Sequence, residues 1–423
     1  MRLEQTYNKT ILDNGIRVVS EEINHVRSVS IGVWVQSGSC FEDPDTNGTA
    51  HFIEHMLFKG TERRTAFDIA SEIDSVGGVM NAFTGKEWTS FYIKAPDYHL
   101  PLAIDLLADI LQKSRFQADE ILKEQSVVLQ EIGMVEDSPD DYIHDFFEAI
   151  FWNGHSLGLS VLGTRDRVKC LNRAKLISFF NTRYKGNNLV LAATGHLKHD
   201  ILVDLVNSAF KTMEKGTEES TIKQPEVTAK AEVLKKDLEQ IHMVIGTLAP
   251  SATSLKRYPV FLLNAVLGGS MSSRLFQEIR EKRGLAYSIH TYHVPYRSTG
   301  LLGIYAGISE DRVRVVVDLI GGALKRLCDE NPTETEIHSA KELIKGNFLM
   351  SMESTDNRMM RLAKNELCFG KYISAEEVVN CIDSVEREHI RELACELFRP
   401  EILSVVAIGK VSLEDIVFNH QHH

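Results

Sequence analysis

His51 and His55 stand four residues apart with Glu54 between them, in the run His51-Phe52-Ile53-Glu54-His55 of an apolar, helix-like stretch. Positions i and i+4 of a helix share one face, so both imidazoles can reach a single ion. Glu54, at i+3 from His51, projects to the same side, where it can take a proton from water held by that ion. Zinc suits such a set, because it accepts neutral imidazole and carboxylate and keeps a position open for water. The same pentapeptide also arises by chance on solvated helices, so it needs a further ligand to carry weight.

The stretch Glu120 to Ile132 supplies one. Glu124 and Glu131 lie seven residues apart, two helical turns, with Val127 and Val128 beside them. A solvated face accounts for Glu120 and Lys123 but less well for carboxylates bordered by valines, since a buried carboxylate is costly unless paired or bound to metal. This reading makes Glu131 the third metal ligand and Glu124 an auxiliary carboxylate beside the ligands.

With these residues in place, the chain resembles the pitrilysin, insulysin and mitochondrial processing peptidase family of zinc metallopeptidases, its short processing-peptidase-like members in particular. That family follows H-x-x-E-H with a glutamate ligand some 75 residues on, and here 131 − 55 = 76. Other stretches match in the same order. Gly77-Gly78-Val79-Met80-Asn81-Ala82-Phe83-Thr84 with Glu87 looks like the family's strand beside the active site. Ser156-Leu157-Gly158 and Gly163-Thr164 look like a later signature, with Ser156 where the family usually has proline. Arg280 and Tyr287, in Arg280-Glu281-Lys282-Arg283-Gly284-Leu285-Ala286-Tyr287, match its arginine and tyrosine pair.

The resemblance implies a zinc endopeptidase with one Zn2+ per chain, acting on peptides or unfolded polypeptide segments. It implies that Glu54 is the general base, that Arg280 and Tyr287 bind substrate backbone or oppose oxyanion charge, and that Asn81 and Ala82 bind an extended peptide along an edge strand. On its own, the charge-dense run Arg274 to Arg283 reads as a solvated helix face ended by Gly284, with Tyr287 opening a strand. Longer relatives enclose substrate between two halves of two domains each, so a homodimer with shared active sites is expected for a chain of this length. The competing expectation is a non-catalytic structural or binding subunit like the respiratory-complex relatives, against which His51, Glu54, His55 and Glu131 stand intact.

At 423 residues the chain exceeds what one hydrophobic core serves, and its 43% hydrophobic and 25% charged content are those of a globular protein. A net charge of −12 speaks against nucleic acid as a partner. Met1 to Tyr7 reads as neither signal nor transit peptide, and no apolar run approaches the ~20 residues of a membrane span. The six cysteines show no C-x-x-C pair, as expected of reduced thiols in a cytoplasmic protein. The tail His420-Gln421-His422-His423 reads as a frayed end.

Alternating strands and helices point to α+β, with two similar domains that each pack helices on one side of a mainly antiparallel sheet. The expected division is 1–213 for the metal-binding domain, 214–230 for a polar linker and 231–423 for a repeat without metal. Thr10 to Val19 reads as a hairpin turning at Asn14-Gly15, and Val29, Ile31, Val33 and Val35 as one face of a half-buried strand. Laying Gly60 over Gly269 puts Val260, Leu263 and Asn264 where His51, Glu54 and His55 stand, so the repeat keeps the helix and loses the ligands.

Overall fold

A computed structural model describes residues 6–217 and 222–418. The extreme N-terminus, part of the expected linker and the histidine tail from His420 lie outside the described residues. The chain forms two compact units. Among the described residues, one is built from 6–133, 159–217, 222 and Met350–Tyr372, the other from Met134–Gly158, Lys223–Leu349 and 373–418. They are therefore not the linear stretches 1–213 and 231–423, because each half of the sequence gives a segment to the other unit.

The first unit holds a six-stranded sheet in the order β1-β2-β6-β3-β5-β4. Its strands are β1 (Thr6–Ile11), β2 (Arg17–Glu22), β3 (Ser28–Val35), β4 (Val79–Thr84), β5 (Thr89–Pro96) and β6 (Leu189–Gly195). All neighbours are antiparallel except β2 and β6, and β4 is an edge strand. The expected first hairpin forms, but with a longer loop than a two-residue turn. Leu12 N donates to Ile16 O at 2.9 Å, and Gly15 takes φ +89° against Asn187, whose Oδ1 a Cβ would meet at 2.0 Å.

Most helices pack on one face of this sheet, among them α1 (Thr49–Leu57), α2 (Ala66–Ser75), α3 (Leu100–Lys113) and α4 (Ala118–Glu136). Nine residues of helix are too few to persist alone. Phe52, Ile53, Met56 and Leu57 are all at most 1% exposed, and at about 1.5–3 kcal/mol for each fully buried side chain, packing holds α1 in place.

β3 departs from the half-buried strand read from sequence, because both its faces are covered. Val29, Ile31, Val33 and Val35 face the main core, while Trp34 packs on Met359, Leu362, Ala363 and Leu367 of the helix Thr355–Phe369. Ser30 Oγ donates into the same helix, with Thr355 Oγ1 at 2.8 Å and Asp356 Oδ1 at 2.5 Å. Arg358 pairs with buried Glu21, and Lys9 Nζ reaches Glu366 at 2.8 Å.

The second unit repeats the plan with five strands, β7 (Ala231–Leu234), β8 (Ile241–Ala249), β9 (Ala286–Pro295), β10 (Gly300–Ile308) and β11 (Ser404–Ile408), ordered β7-β11-β8-β10-β9. Here α5 (Pro139–Phe151), from the first half of the sequence, covers the far face. Phe147 lies so close to Gly246 that a Cβ there would meet its ring at 2.4 Å. The helix Arg257–Leu267 follows β8, and its Val260 and Leu263 are fully buried core residues. No described helix is long and apolar enough to cross a membrane.

Candidate metal centre

α1 starts at a constrained junction. Gly48, its N-cap, has φ +91°, and a Cβ there would lie 2.9 Å from Leu162 O and 3.0 Å from Gly163 Cα. No side chain of the N-cap itself serves the free amides. Instead buried Glu42 accepts from Ala50 N at 2.6 Å, Gly48 N at 2.8 Å and Asn47 Nδ2 at 3.0 Å. A carboxylate here meets both the unpaired N–H groups and the positive end of the helix dipole. Burial nevertheless pushes the Glu42 carboxyl up to about 7 against the pull of those donors.

One turn on, His51 and His55 bring their Nε2 atoms 3.1 Å apart, and Glu131 Oε2 from α4 lies 3.6 Å from the first and 3.7 Å from the second. Donors at ~2.0–2.2 Å from a tetrahedral zinc ion would be separated by ~3.3–3.6 Å. These three are the one group of candidate ligand atoms that converges among the described residues. The donor chemistry fits as well. His55 Nδ1 donates to Glu124 Oε1 at 2.7 Å, so its Nε2 turns a lone pair toward His51 and Glu131, as a metal ligand requires. Burial first, then the neighbouring His55, drives His51 down to about 3, so its ring is neutral with a lone pair to give.

Glu124 and Glu131 both reach the His51–His55 cluster from α4. Glu124 is buried and bonded to His55, while Glu131 presents a side chain 40% exposed to the ligand cluster. The two valines divide, Val128 being fully buried and Val127 exposed. Lys59, which the sequence reading passed over, donates to the second oxygen of Glu124 at 2.7 Å. Burial acts upward on Glu124, but its bonds to His55 and Lys59 outweigh that and hold its carboxyl below the usual range. For His55, burial acts downward, but the Glu124 bond and the charges of Glu124, Glu131 and Glu54 raise its affinity for a proton. The i+4 spacing from His55 to Lys59 was the available signal, hidden among ordinary surface lysines.

Glu54 lies on the same helix, largely buried, and Thr84 Oγ1 at the end of β4 donates to its Oε2 at 2.5 Å. Burial raises the Glu54 carboxyl, with the Thr84 bond opposing. Along β4, Met80, Ala82 and Thr84 are partly covered, while Val79, Asn81 and Phe83 are exposed. Ala82 N donates to Asn81 Oδ1 at 2.8 Å, so the amide foreseen for an added peptide is capped by the neighbouring side chain.

Arg280 and Tyr287 come together in the second unit. The Arg280 guanidinium lies 5.8 Å from the Tyr287 ring centre and 5.1 Å from that of Phe276, and Tyr287 is 75% exposed. The backbone carrying Arg280 is a π-helical turn, Phe276–Glu281, where a plain solvated helix face was expected. Gly284 ends it with φ +59°, and Leu285 N returns to Ile279 O at 2.9 Å. Arg274 is not a solvated charge either, since it forms a two-bond pair with Glu336 at 2.6 and 3.0 Å.

Comparison with known proteins agrees with this geometry. Residues 17–165 match the insulinase family (peptidase family M16), and residues 171–344 match the peptidase M16 inactive domain. The chain is 39% identical over 385 residues to YmxG of Bacillus subtilis, named an uncharacterized zinc protease, covering 91% of this chain and 94% of that one. The chain belongs to the M16 family. A zinc protease of Streptomyces coelicolor, also named uncharacterized, is 38% identical, with 95% of this chain and 89% of that one covered. The fold is shared with the crystal structure of a protease from Helicobacter pylori, at TM-score 0.88 and 21% identity, over 96% of this chain and 99% of the other. The match to an inactive domain covers the stretch that contains Val260, Leu263 and Asn264.

Proposed function

We propose that this M16 chain is a zinc-dependent endopeptidase of the processing-peptidase type, with one ion held by His51, His55 and Glu131, that cuts peptides or unfolded segments. The observation that carries the reading is the convergence of those three ligand atoms beside the carboxylate of Glu54. Zinc, when bound, supplies the Lewis acidity that activates water near neutral pH. Glu54 takes the proton of that water as it attacks the peptide carbonyl and returns it to the leaving amine. Thr84 fixes one oxygen of this base, and Glu124 with Lys59 fixes the ring of His55.

The exposed edge of β4 is the surface for an extended peptide. A substrate carbonyl takes the place of Asn81 Oδ1 on the Ala82 amide and adds a strand to the sheet. Arg280 and Tyr287 then bind substrate backbone or oppose charge on the tetrahedral oxygen. In this proposal the working form is a homodimer whose subunits exchange that pair. The intact ligand set favours catalysis over a purely structural subunit.

The test is metal analysis together with hydrolysis of an internally quenched peptide library. Stoichiometric zinc with chelator-sensitive cleavage supports the reading. A zinc-loaded protein that cuts nothing in the library overturns it in favour of a binding or structural role.

A further inference from the structure

Thr84 and Thr89 face each other across the closing pair of the β4–β5 hairpin, with their hydroxyl oxygens 3.2 Å apart. Thr89 is fully buried and gives its one hydroxyl proton to Ser37 O at 2.6 Å, a carbonyl that can only accept. Toward Thr84 it therefore has only lone pairs to offer. The Thr84 proton has two acceptors in reach, Thr89 Oγ1 at 3.2 Å and Glu54 Oε2 at 2.5 Å. The shorter, charge-assisted bond to the carboxylate wins. The chain of hydroxyls thus has one direction, ending on Glu54.

We propose that Thr84 is a positioning residue for the base assigned above: it locks Glu54 Oε2 and leaves Oε1 as the oxygen that receives the proton of water. The inference rests on the peptidase reading of this site. It also ties the base to the substrate strand, because Thr84 lies on β4 two residues beyond Ala82. Without the bond, the Glu54 carboxylate is free to rotate and fewer encounters find it aligned. The loss falls on turnover and not on metal or peptide binding.

The experiment compares wild type with Thr84→Val, which keeps the β-branched shape and loses the hydroxyl, and with Thr84→Ser, which restores it. Thr84→Val is expected to lower kcat by ~10–10²-fold, part of what a general base contributes. KM and the zinc dissociation constant stay at wild-type values, and Thr84→Ser recovers most of the rate. Independently of activity, the infrared carboxylate band of Glu54, identified by its loss in Glu54→Gln, shifts in Thr84→Val and returns in Thr84→Ser. Undiminished kcat in Thr84→Val, an equal loss in both variants, or loss of zinc overturns the proposal. If wild type itself cleaves no peptide, the peptidase reading fails, while the infrared band still reports whether Thr84 holds Glu54.

Discussion

His55 Nδ1 donates to Glu124 Oε1 at 2.7 Å, and Lys59 binds the other oxygen of the same carboxylate at 2.7 Å. The ring of His55 is thereby held from behind, by a residue outside the candidate ligand group. Glu131 has the opposite character, half-exposed and reaching both histidines through one oxygen. Glu131→Gln should therefore weaken zinc binding most, by removing a charged ligand. Glu124→Gln should cost ~10–100-fold in zinc affinity or activity, as outer partners of metal ligands do. Chelator competition on both variants checks this, and the reverse ranking would exchange the two roles.

Glu54 has its own signature, because its carboxylate lies outside the converging group of His51, His55 and Glu131. Glu54→Gln should keep wild-type zinc content while peptide turnover falls by at least ~10². Metal analysis of the purified variant is decisive. An empty site would make Glu54 a ligand.

The candidate metal ligands belong to the first compact unit and the Arg280–Tyr287 pair to the second. If the homodimer shares its sites, mixing inactive Glu54→Gln with inactive Arg280→Ala restores activity, since one site in each heterodimer combines two intact contributions. Co-expression with two tags establishes that subunits exchanged. An exchanged but dead mixture means that the pair serves the zinc of its own chain.

Acid should weaken the support of the Arg280 turn in a defined window. Burial acts upward on Glu336, but its bonds from Arg274 and Thr333 outweigh this and hold its carboxyl at about 2 against an ordinary 4.5. A carboxyl depressed by folding stabilises fully above 4.5 and loses that contribution as pH falls through about 2. The pair is partly exposed, so about 1 kcal/mol is expected, or roughly 2–4 °C in Tm for a unit of this size. Thermal melts of Glu336→Gln should show that deficit at pH 7 and a shrinking one below about pH 4.5. A deficit that grows on acidification would contradict the sign.

The sequence by itself picked out the candidate ligands that the fold brings together. His51, Glu54 and His55 are related by helix periodicity, and Glu124 and Glu131 by two turns of another helix, so spacing alone reports their common faces. The second domain was legible for the same reason, because the apolar run before Gly268 and Gly269 reads as a helix and forms one. Only the tertiary structure decided which side chains support these groups. Thr84 meets Glu54 across 30 residues and Lys59 reaches Glu124 on α4, while the helix Thr355–Phe369 reaches β3 through Thr355 and Ser30, 325 residues apart. Such partners share no periodicity, since sheet order and helix exchange bring them together. β3 shows the consequence. Its alternation promised one dry face, and a helix from the far half of the chain buried the other. Period-two patterning records which residues point the same way, but not what packs against them.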